Sequence, residues 1–270
     1  MNSEQPFGFK EETKMDEVIL EAEHMKKIYN YRTPNAFEAL HDINIQVRKG
    51  EFIGIMGPSG AGKSTFINNI STIDQYTEGH VKIKGKEIRT MSSNEIGRFR
   101  FKNLGFIFQD FNLLNTHTLF ENIALPLSLA DVPKKDIEPR VKALAEKMKI
   151  MSLLDKFPNE CSGGQRQRAA ICRALINDPE IIVADEPTGN LDSANSTELM
   201  HILQQLNDER GVTIIMVTHD PLITSYTKRL VFIKDGYIER ELEKGDMTQE
   251  EYFQKIVDLN AEESREVLQK

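Results

Sequence analysis

A chain of 270 residues with 42 acidic and 34 basic side chains has a net charge of −8. That balance argues against a DNA or RNA backbone as the main partner, which would call for a basic face, so no nucleic acid is expected. Hydrophobic residues at 39% and charged residues at 28% allow a sizeable core, in one large domain or two small ones, beneath a solvated surface. No apolar run approaches the ~18 residues of a membrane span. Met1 to Lys14 has no apolar stretch of the signal-peptide kind. Any membrane part is therefore expected from another chain. Cys161 and Cys172 lack C-x-x-C spacing and suit reduced cytosolic thiols.

In chain order, residues 1–17 read as a loose polar leader broken by Pro6 and Gly8. Val18 to Ala22 is strand-like, and Ile43 to Val47 alternates as a strand with one buried face. Arg48-Lys49-Gly50 turns into Glu51 to Met56, a buried strand. Val81 to Gly85 is another alternating strand. From about 89 to 160 the pattern changes. An apolar segment from Leu104 to Leu114 is followed by a charged helical pattern around Val141 to Met148, and the whole reads as a helical subdomain inserted into an α/β core. Ile181 to Ala184 and Val212 to Val217 are short apolar runs of the kind that form parallel strands buried on both faces, with a helix from Ser193 to Asn207 between them. Arg229 to Ile233 and Tyr237 to Arg240, joined at Asp235-Gly236, predict a hairpin. Residues 242–270 read as a helical tail. Thr248 and Glu251 form its capping box, and Tyr252, Phe253, Ile256 and Val257 its apolar stripe.

The chemistry centres on Gly57-Pro58-Ser59-Gly60-Ala61-Gly62-Lys63-Ser64-Thr65, which satisfies G-x-x-x-x-G-K-[ST] between a strand and a helix. Such a loop turns backbone N–H groups and a helix N-terminus toward a polyphosphate. Lys63 would reach the β- and γ-phosphates, and Ser64 would ligate Mg²⁺. Asp185 and Glu186 end an apolar strand; Asp185 would hold the Mg²⁺ shell and Glu186 would polarise an attacking water. Gln109 leaves the run Gly105 to Phe108, placed to touch Mg²⁺ or water. Ser162-Gly163-Gly164-Gln165 opens a further helix with bare N–H groups, a second anion site. Asp192 could cap the next helix or lie at a subunit contact, and His219 follows a buried strand aimed at the phosphates.

The order of these motifs resembles the ATP-binding cassette of ABC transporters. Gly57–Thr65 stands as Walker A, Gln109 as the Q-loop and Ser162–Gln165 as the signature. Ile181–Asp185 with Glu186 stands as Walker B, Asp192 as the D-loop and His219 as the H-loop. The resemblance spans roughly residues 18 to 240, within a cassette domain set at 18–241. It implies a RecA-like phosphate-loop core with an antiparallel β subdomain and the inserted helical subdomain. Tyr29 matches the aromatic that stacks on adenine, with Phe37 as the fallback. The resemblance further implies ATP hydrolysis with Mg²⁺ and a head-to-tail homodimer. Each ATP would lie between Walker A of one subunit and Ser162, Gly163, Gly164 and Gln165 of the other. It also implies a separate integral membrane permease, which places the chain peripherally on the cytoplasmic face of the membrane. Phe108, Phe111, Leu113, Leu114 and Leu119 would line the docking groove, although core packing explains some of them equally well.

The stretches Asn69–Gln75, Leu104–Leu114, Asp155–Asn159 and Thr218–Pro221 are similar to the bacitracin-export type of ATPase, within the wider macrolide-export and lipoprotein-release group. A role in antimicrobial-peptide resistance follows from that likeness. The alternatives are a sister ATPase for lipoprotein release, macrolide efflux or cell division, and a soluble DNA-repair cassette. The last usually carries coiled coils or zinc modules between Walker A and the signature, and this chain has neither.

Overall fold

The computed structural model describes residues 17–268, so the expected leader lies outside the described residues except for Glu17. The chain opens with a long hairpin of β1 (Val18–Tyr29) and β2 (Phe37–Arg48), then β3 (Phe52–Met56) and α1 (Lys63–Ile70). Next come β4 (Glu78–Ile83), β5 (Lys86–Glu87), α2 (Ser93–Asn103) and β6 (Leu104–Phe108). The helices α3 (Leu119–Leu129), α4 (Lys134–Lys147) and α5 (Gly163–Leu175) follow. The last part runs β7 (Ile181–Asp185), α6 (Ser193–Arg210), β8 (Thr213–Val217), the short α7 (Pro221–Thr224), β9 (Arg229–Lys234), β10 (Tyr237–Glu243) and α8 (Gln249–Leu268).

Two sheets result. One is antiparallel and four-stranded, in the order β2-β1-β4-β5. The other is six-stranded, in the order β10-β9-β3-β8-β7-β6. Its β9, β3, β8, β7 and β6 run parallel, and β10 closes one edge as the hairpin expected at Asp235-Gly236. The pleat sends alternate residues to two cores. Ile182, Ala184, Ile214 and Met216 pack with the helical layer, including Leu127, Ile171 and Leu203. Ile181, Val183, Ile215 and Val217 pack against α1 and the antiparallel sheet, including Phe66, Leu20 and Val81. All five residues of β8 are buried, as its uninterrupted apolar run predicts. Each buried Ile, Leu or Val side chain contributes roughly 1.5–3 kcal/mol.

Three expectations shift. The first two strands are longer than their apolar runs. Polar residues along β1, and its irregular pairing with β2 between Ala22 and Lys27, interrupt the alternation by which a strand is read. The helical insertion expected from about 89 to 160 is not continuous, because β6 pairs with β7 as an edge strand of the core sheet. α2 leads directly into that strand, so α3 and α4, after Phe108, are the inserted helices. The stripe of α8 also rotates. Tyr252 and Ile256 are fully buried against Met56, Leu230 and Phe232, with Leu259 beside them, whereas Phe253 and Val257 are only half-buried. A helix lying on a sheet presents i, i+4 and i+7, and 253 and 257 fall one step round. Its cap is the box expected: Thr248 N donates to Glu251 Oε2 at 2.8 Å, and Glu251 N donates to Thr248 Oγ1 at 3.2 Å.

Candidate functional site

The site lies at the C-terminal edge of the parallel sheet, where strand ends leave loops free to meet a ligand. Ile55 is in register with Val217, Val217 with Asp185, and Asp185 with Phe108. The residues that follow these strand ends, Gly57, Thr218-His219, Glu186 and Gln109, are therefore drawn to one edge.

After β3 the chain wraps tightly. A Cβ at Gly57 would fall 1.9 Å from the Ile233 carbonyl oxygen, so no side chain fits there. Gly62 caps α1 with φ +100, and no side chain caps the N–H groups of that helix's first turn. The first turn carries no acidic residue either. These N–H groups and the helix end make a cradle for anionic oxygens. Lys63 Nζ donates to the carbonyls of Gly57 and Pro58, at 2.8 Å each, and so lies folded over the loop. Burial lowers its pKa, opposed by the charges of Glu186 and Asp185. Burial raises the pKa of Asp185, and the Glu186 charge raises it further, against the pull of Lys63. A phosphate beside Lys63 and a divalent cation beside Asp185 would relieve both costs, so the residues fit a magnesium polyphosphate.

Glu186 adopts a left-handed backbone with φ +44, a conformation that costs a side-chain-bearing residue about 1–3 kcal/mol. Its N–H donates to the Val217 carbonyl at 2.9 Å, which anchors the turn. Its Oε1 accepts from Nδ1 of His219 at 2.8 Å. Glu186 is mostly enclosed and the His219 ring is 74% exposed, so the imidazole reaches out from the sheet edge while the carboxylate holds it. The sequence placed His219 against phosphate without foreseeing this partner.

Tyr29 ends β1 with its hydroxyl 3.4 Å from Thr65 Oγ1, beside the phosphate loop, and its ring is partly exposed. Its cross-strand partner is Phe37, the fallback, which is more exposed still. Both candidates for the adenine face thus sit at one end of the hairpin.

Ser162–Gln165 forms a second surface. Ser162 caps α5 in a reciprocal box with Gln165: Ser162 N donates to Gln165 Oε1 at 3.0 Å and Gln165 N donates to Ser162 Oγ at 3.4 Å. The glycines turn to the segment after Walker B. A Cβ at Gly164 would meet Asn195 Oδ1 at 2.4 Å, and one at Gly163 would lie 3.4 Å from the Asn190 carbonyl. Asp192 caps α6 by accepting from Asn195 N at 2.8 Å, and it also binds the Asn195 side-chain amide. Gln109 rests its amide on Gly189, where a Cβ would come within 2.9 Å of it. Asn190 Nδ2 donates to the Gln109 carbonyl at 3.0 Å.

Sequence reasoning missed Asn190, Asn195 and Gln167, whose buried amide donates to the Pro187 carbonyl at 2.7 Å. No motif marks these residues; the fold alone brings them to the glycines and the Q-loop. The docking groove also needs correction. Phe111 and Leu119 are buried core residues and cannot line an open surface. Of that set, Phe108 borders a groove of about 460 Å³, walled by α2 and α5.

The ABC transporter family profile matches residues 40–189. The bacitracin export ATP-binding protein BceA of Halalkalibacterium halodurans is 48% identical over 88% of this chain and 94% of its own length. The macrolide export ATP-binding/permease protein MacB of Syntrophobacter fumaroxidans is 42% identical over 86% of this chain, which spans 33% of that longer protein. The dimeric post-hydrolysis structure of the cassette MJ0796, bound to ADP and phosphate, overlays with a TM-score of 0.76 at 36% identity, covering 83% of this chain and 98% of that one. The in-register strand ends, the phosphate cradle and this kinship over nearly the whole described chain converge, and the chain belongs to the ABC transporter family as an ATP-binding, ATP-hydrolysing cassette.

Proposed function

We propose that this cassette powers a separate membrane permease in resistance to bacitracin-like antimicrobial peptides. The observation that carries the reading is the 48% identity to a bacitracin export ATPase across 94% of that protein's length. Among the described residues no helix is long and apolar enough to cross a membrane. We place the cassette at residues 18–241 and a C-terminal tail at 242–270, on the cytoplasmic side of the membrane where ATP is supplied.

The chemistry follows from the residues. The N–H groups of the loop and of α1, with Lys63, bind the β- and γ-phosphates, while Tyr29 stacks on the base. Ser64, Asp185 and Gln109 would hold Mg²⁺, whose part is to neutralise charge on the phosphate oxygens. Glu186 accepts a hydrogen bond from the attacking water and draws on its proton as the water attacks. His219, held by that same carboxylate, reaches the terminal phosphate and keeps Glu186 aligned. Ser162, Gly163 and the N-terminus of α5 belong to the partner subunit's ATP, with Asp192 at the subunit contact. The similar cassette MJ0796 forms a dimer that holds ADP and phosphate, which supports this pairing. ATP closes the dimer; hydrolysis and phosphate loss open it.

The likeness to a macrolide export protein supports a second reading, macrolide efflux. A strain deleted for this chain separates the two. Its bacitracin tolerance should fall and return with the wild-type chain but not with Glu186→Gln. A fall in macrolide tolerance alone would replace the first reading by the second.

A further inference from the structure

After β10 the chain returns to the sheet beside the turn that carries His219. Tyr252 and Ile256, on one face of α8, are fully buried against Met56, Leu230 and Phe232. Met56 is the last residue of β3, directly before Gly57 of the phosphate loop. Two residues back, on the same face of β3, Gly54 has no side chain. The methyl groups of Thr224 and Thr227 take that space, 3.2 and 3.1 Å from where a Cβ would stand. Thr224 ends α7, and its hydroxyl lies 3.8 Å from Met56 Sδ. The next residue, Ser225, is fully buried. Its Oγ donates to the Leu222 carbonyl at 2.6 Å and accepts at 3.1 Å from Nε2 of Gln249, the first residue of α8. α8 therefore closes over the phosphate-loop strand and over α7 at once.

α7 is one turn long, too short to hold its shape unaided. It also helps to fix the backbone of His219. Before that residue, Thr218 N donates to the Ile55 carbonyl of β3 at 3.1 Å. After it, the Asp220 carbonyl accepts from Thr224 N at 3.0 Å and from Thr224 Oγ1 at 2.9 Å, and Asp220 Oδ1 accepts from Leu222 N at 2.8 Å. Ile223 anchors one side of α7 in the helical core, and the side of Thr224 and Ser225 is covered by α8. We propose that α8 is a positioning element for hydrolysis: Tyr252 and Gln249 hold α7 in place, and α7 holds His219 on Glu186 and toward the terminal phosphate. The proposal rests on the reading that His219 acts at that phosphate. The phosphate loop depends less on α8, because its strand β3 is paired on both sides, with β8 and β9. Loosening α8 should therefore cost turnover and spare ATP binding.

The test measures steady-state ATP hydrolysis by the full-length chain carrying Tyr252→Ala, Tyr252→Phe or Gln249→Ala, each alone and together with His219→Ala. Thermal melting and ATP titration confirm that each variant is folded. Tyr252→Ala should lower kcat by roughly tenfold or more with KM within about threefold of wild type, as expected when reacting groups are misplaced but substrate is still held. Tyr252→Phe refills the same space and should keep kcat near wild type. Gln249→Ala should lower kcat by roughly threefold or more, the scale of one hydrogen bond. In the His219→Ala background each loss should shrink below about twofold, because the two changes act through one route. Should Tyr252→Ala fail to fold, Gln249→Ala and its pairing with His219→Ala decide the matter. Wild-type kcat in the folded variants would overturn the proposal while leaving the role of His219 intact. So would a KM that rises as much as kcat falls, since α8 would then serve the phosphate loop. Losses of equal size with and without His219 would overturn the route through α7. Parental hydrolysis by His219→Ala would overturn the role of His219 and this proposal together.

Discussion

Glu186→Gln should lower steady-state ATP hydrolysis by about 10²–10⁴-fold while ATP binding survives, the loss expected when a positioned base is removed. Glu186 leaves β7 in a left-handed turn fixed by its N–H to Val217, so its carboxylate is aimed by backbone geometry that Gln can keep. The amide keeps the shape and can still meet His219, but it cannot take a proton from water. It also removes one negative charge beside Asp185, whose pKa is raised first by burial and then by the charge of Glu186. Closure of two subunits around ATP should therefore become easier, and the variant should accumulate as an ATP-bound dimer. His219→Ala should slow turnover less and trap the dimer less well, since it gives no such charge relief. Phosphate release and sizing with MgATP read both effects. Parental hydrolysis by Glu186→Gln would remove Glu186 from the base role.

Lys63→Ala should weaken ATP binding by about 2–5 kcal/mol, roughly 30- to 4,000-fold, the cost of leaving a buried charge without its partner. The ammonium spans the loop from the carbonyls of Gly57 and Pro58, ready to exchange them for phosphate oxygens. Its lowered pKa marks the desolvation cost that a bound anion would relieve. Calorimetric titration with ATP measures the loss, and thermal melting separates it from a collapsed loop. Affinity within a few-fold of wild type would mean that the loop N–H groups bind the phosphates without this cation.

Much of the site was legible because its signals are local. The phosphate loop is a contiguous pattern with a strand before it and a helix after it, and Ser162 with Gln165 is a cap written in four residues. The parallel strands were legible because burial on both faces leaves uninterrupted apolar runs such as 212–217. The run before Gln109 read as a strand, but the bounds 89–160 took it into the helical insertion, because a short apolar run between a helix and a loop does not show which sheet it joins. Phe111 and Leu119 could be read as groove or as core for a related reason: apolar residues look alike in sequence whichever they face. The contact of Gly164 with Asn195, the rest of Gln109 on Gly189 and the pairing of His219 with Glu186 join residues far apart in the chain, and only the register of the sheet makes them neighbours. Gln249 and Tyr252 lie in what read as a tail helix, and nothing local showed that this helix meets the turn after His219.

We propose that each ATP is bound by the phosphate loop of one chain and the signature of another. Mixing two disabled chains tests it. One carries Lys63→Ala. The other carries Gly163→Asp, chosen because a Cβ at Gly163 has 3.4 Å to its nearest neighbour, whereas one at Gly164 would strike Asn195 within its own chain. In a head-to-tail pair the mixture contains one site with both defects and one site with neither. The mixture should hydrolyse ATP well above either chain alone. A mixture no faster than its two components measured separately would contradict the shared site.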